Sequence, residues 1–153
     1  QMFQRKSALR SSGILPTTME MIMAVESLPA GRQGLGRWGE ERAAEFLKAK
    51  GYRILERNYK NKIGEIDIVA SDEKNLCFIE VKTRRSLAYG QPYESVTRHK
   101  QMKIARVAFV YLKHRCGTVD VNARFDVISI IRDESDQARI EYIPHAFDAS
   151  GTF

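Results

Sequence analysis

Apolar residues in this chain recur with two periods, one of three to four positions and one of two. The longer period runs from Leu35 to Lys50, where Trp38, Ala43, Phe46 and Leu47 share a face and Gly51 supplies a stop. It returns from Val96 to Arg115, with Ile104, Ala105, Ala108, Tyr111 and Leu112 as the apolar stripe and Gly117 as terminator. The shorter period marks strands at Tyr52–Tyr59, Gly64–Ala70 and Phe78–Lys82. Arg124–Ile131 supplies a fourth strand with Phe125, Val127 and Ile128 buried, and Arg139–Ile143 a fifth, at the sheet edge, stopped by Pro144. The order α-β-β-β-α-β-β predicts an α/β sandwich, a central mixed sheet of four to five strands flanked by helices.

The second and third strands are joined by a polar, turn-forming stretch, Ser71 to Asn75. With Asp72–Asn75 as a four-residue hairpin loop, Ser71 pairs with Leu76, Asp67 lies opposite Glu80 and Glu65 lies opposite Lys82. One face then carries Ile66, Ile68, Ala70, Cys77, Ile79 and Val81 and is the core face. The other carries Glu65, Asp67, Glu80 and Lys82 at one end, with Val69 and Phe78 beyond. Opposed side chains sit about 4.5–5.5 Å apart at Cβ, where two carboxylates repel. A divalent cation resolves that conflict, because hard cations take converging oxygen ligands. The same pattern also suits a plain solvated face, and a one-residue slip would exchange the faces.

Length and charge narrow the partner. The chain has 153 residues, 43% hydrophobic and 29% charged, which suits one soluble domain. Its net charge is +6. Between Lys82 and Arg115 the basic residues Lys82, Arg84, Arg85, Arg98, Lys100, Lys103, Arg106, Lys113 and Arg115 face one acid, Glu94. That stretch attracts polyanions. A small-molecule phosphate substrate would not need so extended a basic surface. Cys77 and Cys116 have no metal or redox spacing, and His99, His114 and His145 are scattered, so no histidine–cysteine zinc site is expected. A cytoplasmic compartment follows, with no membrane partner. Residues 1–33 are set apart as a flexible extension, since Pro16, Glu20 and Glu26 interrupt the apolar stretch a leader or membrane span would need. Met23 would serve as a translational start. Residues 34–148 form the domain.

Glu80 and Lys82 share a strand face about 6.6 Å apart. Asp67 and Glu80, with the Val81 carbonyl, offer oxygen ligands to Mg²⁺ or Mn²⁺, which keeps several waters and shares phosphate oxygens with substrate. Bound water of lowered pKa is a nucleophile, and the Lys82 ammonium suits a phosphate oxygen or that water. These are the parts of phosphodiester hydrolysis.

Asp67 followed by Glu80-Val81-Lys82 resembles the PD-(D/E)xK motif of the restriction-endonuclease-like nuclease superfamily. More narrowly the chain resembles the YraN family of small bacterial proteins. The matching segments are Gly36-Arg37-Trp38-Gly39-Glu40-Glu41-Arg42-Ala43, Gly64-Glu65-Ile66-Asp67, Phe78-Ile79-Glu80-Val81-Lys82-Thr83-Arg84 and Arg124-Phe125-Asp126-Val127. The likeness covers Gly36 to Ile131. It implies a restriction-endonuclease-like sandwich and adds Glu40 to the metal and catalytic set of Asp67, Glu80, Val81 and Lys82. Glu41 is the neighbouring alternative to Glu40. Ile66 stands where the motif's name has Pro.

Arg84, Arg85, Lys100 and Lys103 are the expected nucleic-acid contacts, with Gln91 a weaker one. Asp126 suits a structural pairing with Arg124. Trp38 and Tyr59 suit base stacking or the core. The leading expectation is a Mg²⁺- or Mn²⁺-dependent endonuclease on DNA, with branched or otherwise structured DNA as a candidate substrate. Its rival is a non-catalytic nucleic-acid-binding accessory protein. A homodimer would form through the loop Leu87–Pro92 or the free edge of the fifth strand.

Overall fold

Helix α1 spans Gly31–Ala49 and helix α2 spans Arg98–Tyr111 in the computed structural model. The structure describes residues 3–5, 19–24, 31–85, 96–132 and 137–149, with backbone alone for 3–5, 19–24 and 132. Its strands are β1 (Phe3–Arg5), β2 (Met19–Ala24), β3 (Arg53–Lys60), β4 (Glu65–Ser71), β5 (Leu76–Arg84), β6 (Ala123–Arg132) and β7 (Gln137–Phe147). They form one sheet in the order β1-β2-β7-β6-β5-β4-β3. The five expected strands are contiguous within it. β5 and β6 run parallel with α2 in their connection, and the other neighbours are antiparallel. The fold is the expected α/β sandwich. No helix among the described residues is long and apolar enough to cross a membrane.

Two features differ from the sequence reading. Residues 19–24, set apart with the extension, are strand β2 and pair along β7 from Met19↔Tyr142 to Ala24↔Gln137. The fifth strand is therefore not an edge. An uncovered β7 would present a row of unpaired backbone groups, and β2 satisfies them. This removes one of the two surfaces expected for a homodimer. The other, Leu87–Pro92, lies outside the described residues, as does Gln91.

The second difference concerns Ile66. The hairpin register is the expected one, from Ser71↔Leu76 to Ile68↔Ile79, and there the β4–β5 ladder ends. Ile68, Ala70, Cys77 and Ile79 pack under α1 with Ala43, Ala44, Phe46 and Leu47. Ile66, expected beside them, instead joins Val69 and Phe78 on the α2 face, against Ile104, Val107 and Tyr111. Strict alternation holds only while a strand keeps its ladder, and β4 leaves β5 between these two isoleucines. Both sheet faces are covered, so the face bearing Val69 and Phe78 is a second core rather than a wet surface. Trp38 packs against the first core, and Tyr59 lies in the second, edge-on to Tyr111 at 5.0 Å.

The hairpin loop closes on itself. Asp72 N–H donates to the Asn75 carbonyl at 3.1 Å, while Asp72 Oδ1 accepts from the amides of Lys74 (2.8 Å) and Asn75 (2.7 Å). Beneath it lies a polar knot. Arg124 Nε donates to both oxygens of Asp126, at 3.1 and 3.0 Å, and Nη1 donates to Asp72 Oδ2 at 2.9 Å. Nη2 reaches the hydroxyls of Tyr52 (2.6 Å) and Tyr142 (3.0 Å). Asp126 is fully buried and also accepts the His145 amide at 3.0 Å. Asp126 thus pairs with Arg124, as the sequence suggested.

Removing one member of a buried ion pair strands the other. Arg124→Met is expected to lower unfolding free energy by about 3–5 kcal/mol. Urea denaturation measures it, and a loss below about 1 kcal/mol would show that the knot is not a main support of the hairpin end.

Candidate active site

Where the β4–β5 ladder stops, a side chain takes over from the backbone. Val81 N–H donates to Asp67 Oδ2 at 2.7 Å. This holds the Asp67 carboxylate against β5, next to Glu80. The Glu80 side chain is only 6% exposed, and its Oε1 accepts from Lys82 Nζ at 2.9 Å and also from Lys100 Nζ. Lys82 comes from the same strand and Lys100 from the first turn of α2. That turn is fixed by Thr97, whose Oγ1 accepts the Lys100 amide at 3.3 Å. Lys100 therefore holds a cation at a helix N-terminus, which the helix dipole disfavours and Glu80 offsets.

The charges perturb one another. Burial, then the charge of Glu80 and more weakly that of Glu40, push Asp67 up to about 7, while the Val81 amide and Lys100 pull it down. Burial works against the Lys100 ammonium, but its hydrogen bond and attraction to Glu80 outweigh that and raise it above the ordinary lysine value.

Helix α1 brings Glu40 to the same end of the sheet. An added Cβ at Gly39 would lie 1.8 Å from Thr83 Oγ1 on β5, so only glycine permits this approach. Glu40 lines a cavity of about 860 Å³ with Arg32, Gly36, Val81, Lys82, Arg84 and Arg85. Its neighbour Glu41 turns to Arg57 instead, at 3.7 Å, which separates the two alternatives. Among the described residues, no three acidic, histidine or cysteine side chains gather closely enough to hold a metal ion unaided. Glu40 acts on Asp67 as a charge without joining it in such a group.

The remaining expected contacts divide. Arg84 and Arg85 border the cavity, and Lys100 sits on Glu80 itself. Lys103, one turn further along α2, lays its stem over Gly64 and is exposed. Glu65, expected opposite Lys82, pairs with Lys60 on β3 at 3.0 Å.

Sequence reasoning missed two residues here. Arg32 was set aside with the extension, although Arg32, Gly36 and Glu40 follow one another at helical spacing on the cavity side. Ser129 pairs in register with Lys82 on the neighbouring strand, and its fully buried Oγ has no hydrogen-bond partner among the described residues. Nothing in the strand's alternation singles it out.

A model of the uncharacterised protein family UPF0102 matches residues 39–130. A UPF0102 protein of Trichlorobacter lovleyi is 46% identical over 123 residues, covering 77% of this chain and 93% of that protein. One of Desulfosudis oleivorans is 49% identical over 120 residues, covering 78% and 94%. One of Chlorobium limicola is 51% identical over 117 residues, covering 75% and 90%.

Two measurements test this geometry. Because Asp67 binds its proton more tightly in the folded chain, stability falls as pH rises from about 4 to about 7. In EDTA, Asp67→Asn keeps an acceptor for the Val81 amide and removes that penalty. It is expected to stabilise the protein by about 1–3 kcal/mol above pH 7, with the gain vanishing below pH 4. A gain independent of pH would mean that Asp67 is not the group concerned. Gly39→Ala should cost about 1–3 kcal/mol despite the better helix propensity of alanine. Unchanged thermal stability would contradict the close approach of α1 to Thr83.

Proposed function

The chain belongs to the UPF0102 (YraN) family, and from its own site we propose that it is a divalent-metal-dependent nuclease acting on DNA. The observation carrying this reading is the pair Asp67 and Glu80, held together under burial and neutralised by lysines from two separate elements. Folding alone gains nothing from two adjacent carboxylates, one of which is pushed up to about 7 by the arrangement.

The donor set fits Mg²⁺ or Mn²⁺. Asp67, Glu80 and the Val81 carbonyl provide few but hard oxygen ligands, which suits an ion that keeps waters and shares phosphate oxygens. When bound, such an ion lowers the pKa of its water and stabilises charge on the phosphate. Positive charge already rests on Glu80 Oε1, in the form of two ammonium groups. Asp67 presents one oxygen while the Val81 amide fixes its other. Lys82, 24% exposed, is placed to orient the attacking water or to neutralise a non-bridging phosphate oxygen. Glu40 adds negative charge on the cavity side, which would favour a divalent cation near Asp67. Arg84 and Arg85, with Arg32, border the cavity along which a strand's phosphates would run. Lys103 extends the basic surface along α2. Branched or otherwise structured DNA is the substrate form to test first, in a cytoplasmic setting.

The absence of a third clustered ligand among the described residues favours a second reading, an accessory protein that binds nucleic acid without cutting it. One experiment separates the two. Branched, duplex and single-stranded DNA are incubated with the protein in Mg²⁺, Mn²⁺ or EDTA. The nuclease reading expects metal-dependent cleavage that falls about 100-fold or more in Glu80→Gln and in Lys82→Ala, the scale of one lost transition-state contact. Binding without cleavage on every substrate would move the accessory reading to first place.

A further inference from the structure

Lys82 and Lys100 donate to the same oxygen of Glu80, but they are tethered differently. Lys82 lies two positions along the same strand, so its ammonium stays beside Glu80 whatever the helix does. Lys100 reaches the site from α2. Its side chain is 41% exposed, against 24% for Lys82 and 6% for Glu80. The Lys100 backbone is anchored independently by the Thr97 cap, so the side chain can leave Glu80 by rotation alone, with no movement of the helix.

A carboxylate buried to this degree is costly unless positive charge accompanies it. An ammonium is compact and strongly hydrated, the side chain closest in character to a hard cation. An ammonium and a divalent ion on one carboxylate oxygen compete for the same lone pairs and repel each other strongly at low dielectric. Of the two lysines, the more exposed one on the separate element is the one free to yield.

We propose that Lys100 is an exchangeable place-holder, neutralising Glu80 in the absence of a divalent ion and leaving when one binds. The proposal rests on the reading of Asp67 and Glu80 as metal ligands. Toward the metal ion Lys100 is a positioning residue, acting through Glu80. Two consequences follow. The protein's affinity for the ion is set below what the carboxylates alone would give, because the ion must displace a bound cation. Once released, the ammonium stands at the rim of the site with Lys103 one turn away, available to a phosphate that it could not reach while tied to Glu80. Metal and polyanion binding therefore reinforce each other through one side chain.

The test is a Mn²⁺ titration of the metal-free full chain, following the free-ion signal by electron paramagnetic resonance. Wild type is compared with Lys100→Met, Lys100→Arg and Glu80→Gln. Lys100→Met is expected to bind one Mn²⁺ about tenfold more tightly, while Lys100→Arg, which keeps a cation, stays close to wild type. Glu80→Gln is expected to lose the site. A purely structural role for Lys100 would not tighten binding in the neutral variant and restore it in the charged one. Equal affinity in wild type and Lys100→Met, with binding still abolished by Glu80→Gln, would overturn the place-holder and leave the ligand assignment standing. Binding that persists unchanged in Glu80→Gln would remove the assignment and the proposal together. Should Lys100→Met fold poorly, Lys100→Gln carries the same expectation with a polar side chain retained.

Discussion

The hydrogen bond from Val81 N–H to Asp67 Oδ2 is the contact on which the rest depends. In an uninterrupted antiparallel pair that amide would belong to a backbone carbonyl. Giving it to a side chain ends the β4–β5 ladder at Ile68↔Ile79 and turns Ile66 to the α2 face. It also presses Asp67 against the strand that carries Glu80. The like charges, the burial and the need for two lysines are consequences of that single exchange.

What the two helices contribute follows from the same point. With both sheet faces covered, each helix can offer a side chain to the gap between the strands. Helix α2 brings Lys100 to Glu80, and α1 brings Glu40 to the cavity, through the glycine that lets it rest on Thr83. The polar knot around Arg124 stands apart from this, under the hairpin loop. It fixes the loop end of β5 while the other end carries the charges. One end of the sheet thus holds a paired and hydrogen-bonded buried charge network, and the other holds two neighbouring carboxylates balanced by lysines.

Much of this was legible in the sequence because it rests on local signals. The alternation of Gly64–Ala70 and Phe78–Lys82, with an Asp and an Asn bounding the loop, predicts the four pairs nearest the loop, from Ser71↔Leu76 to Ile68↔Ile79. The expected pairs Asp67–Glu80 and Glu65–Lys82 lie beyond the last of these and do not form; Asp67 reaches the Glu80 strand through the Val81 amide instead. Other features depend on contacts between distant parts of the chain, which periodicity does not encode. Ile66 changes face because the ladder stops, an event that strict alternation cannot express. Strand β2 follows from an unpaired edge of β7 rather than from any strong pattern of its own. Lys100 looked like one basic residue among many on α2, and only the helix's docking brings it onto Glu80. Arg32 was lost because the helix begins earlier than its apolar stripe does.

The central claim is that Asp67 and Glu80 form a site for a divalent ion. Crystals grown without metal and soaked in Mn²⁺ test it most directly through anomalous scattering at the manganese edge. The account predicts one strong peak bonded to oxygens of both carboxylates, at about 2.0–2.3 Å, with waters completing its shell. An empty site at millimolar Mn²⁺, with Lys82 and Lys100 still on Glu80, would contradict it.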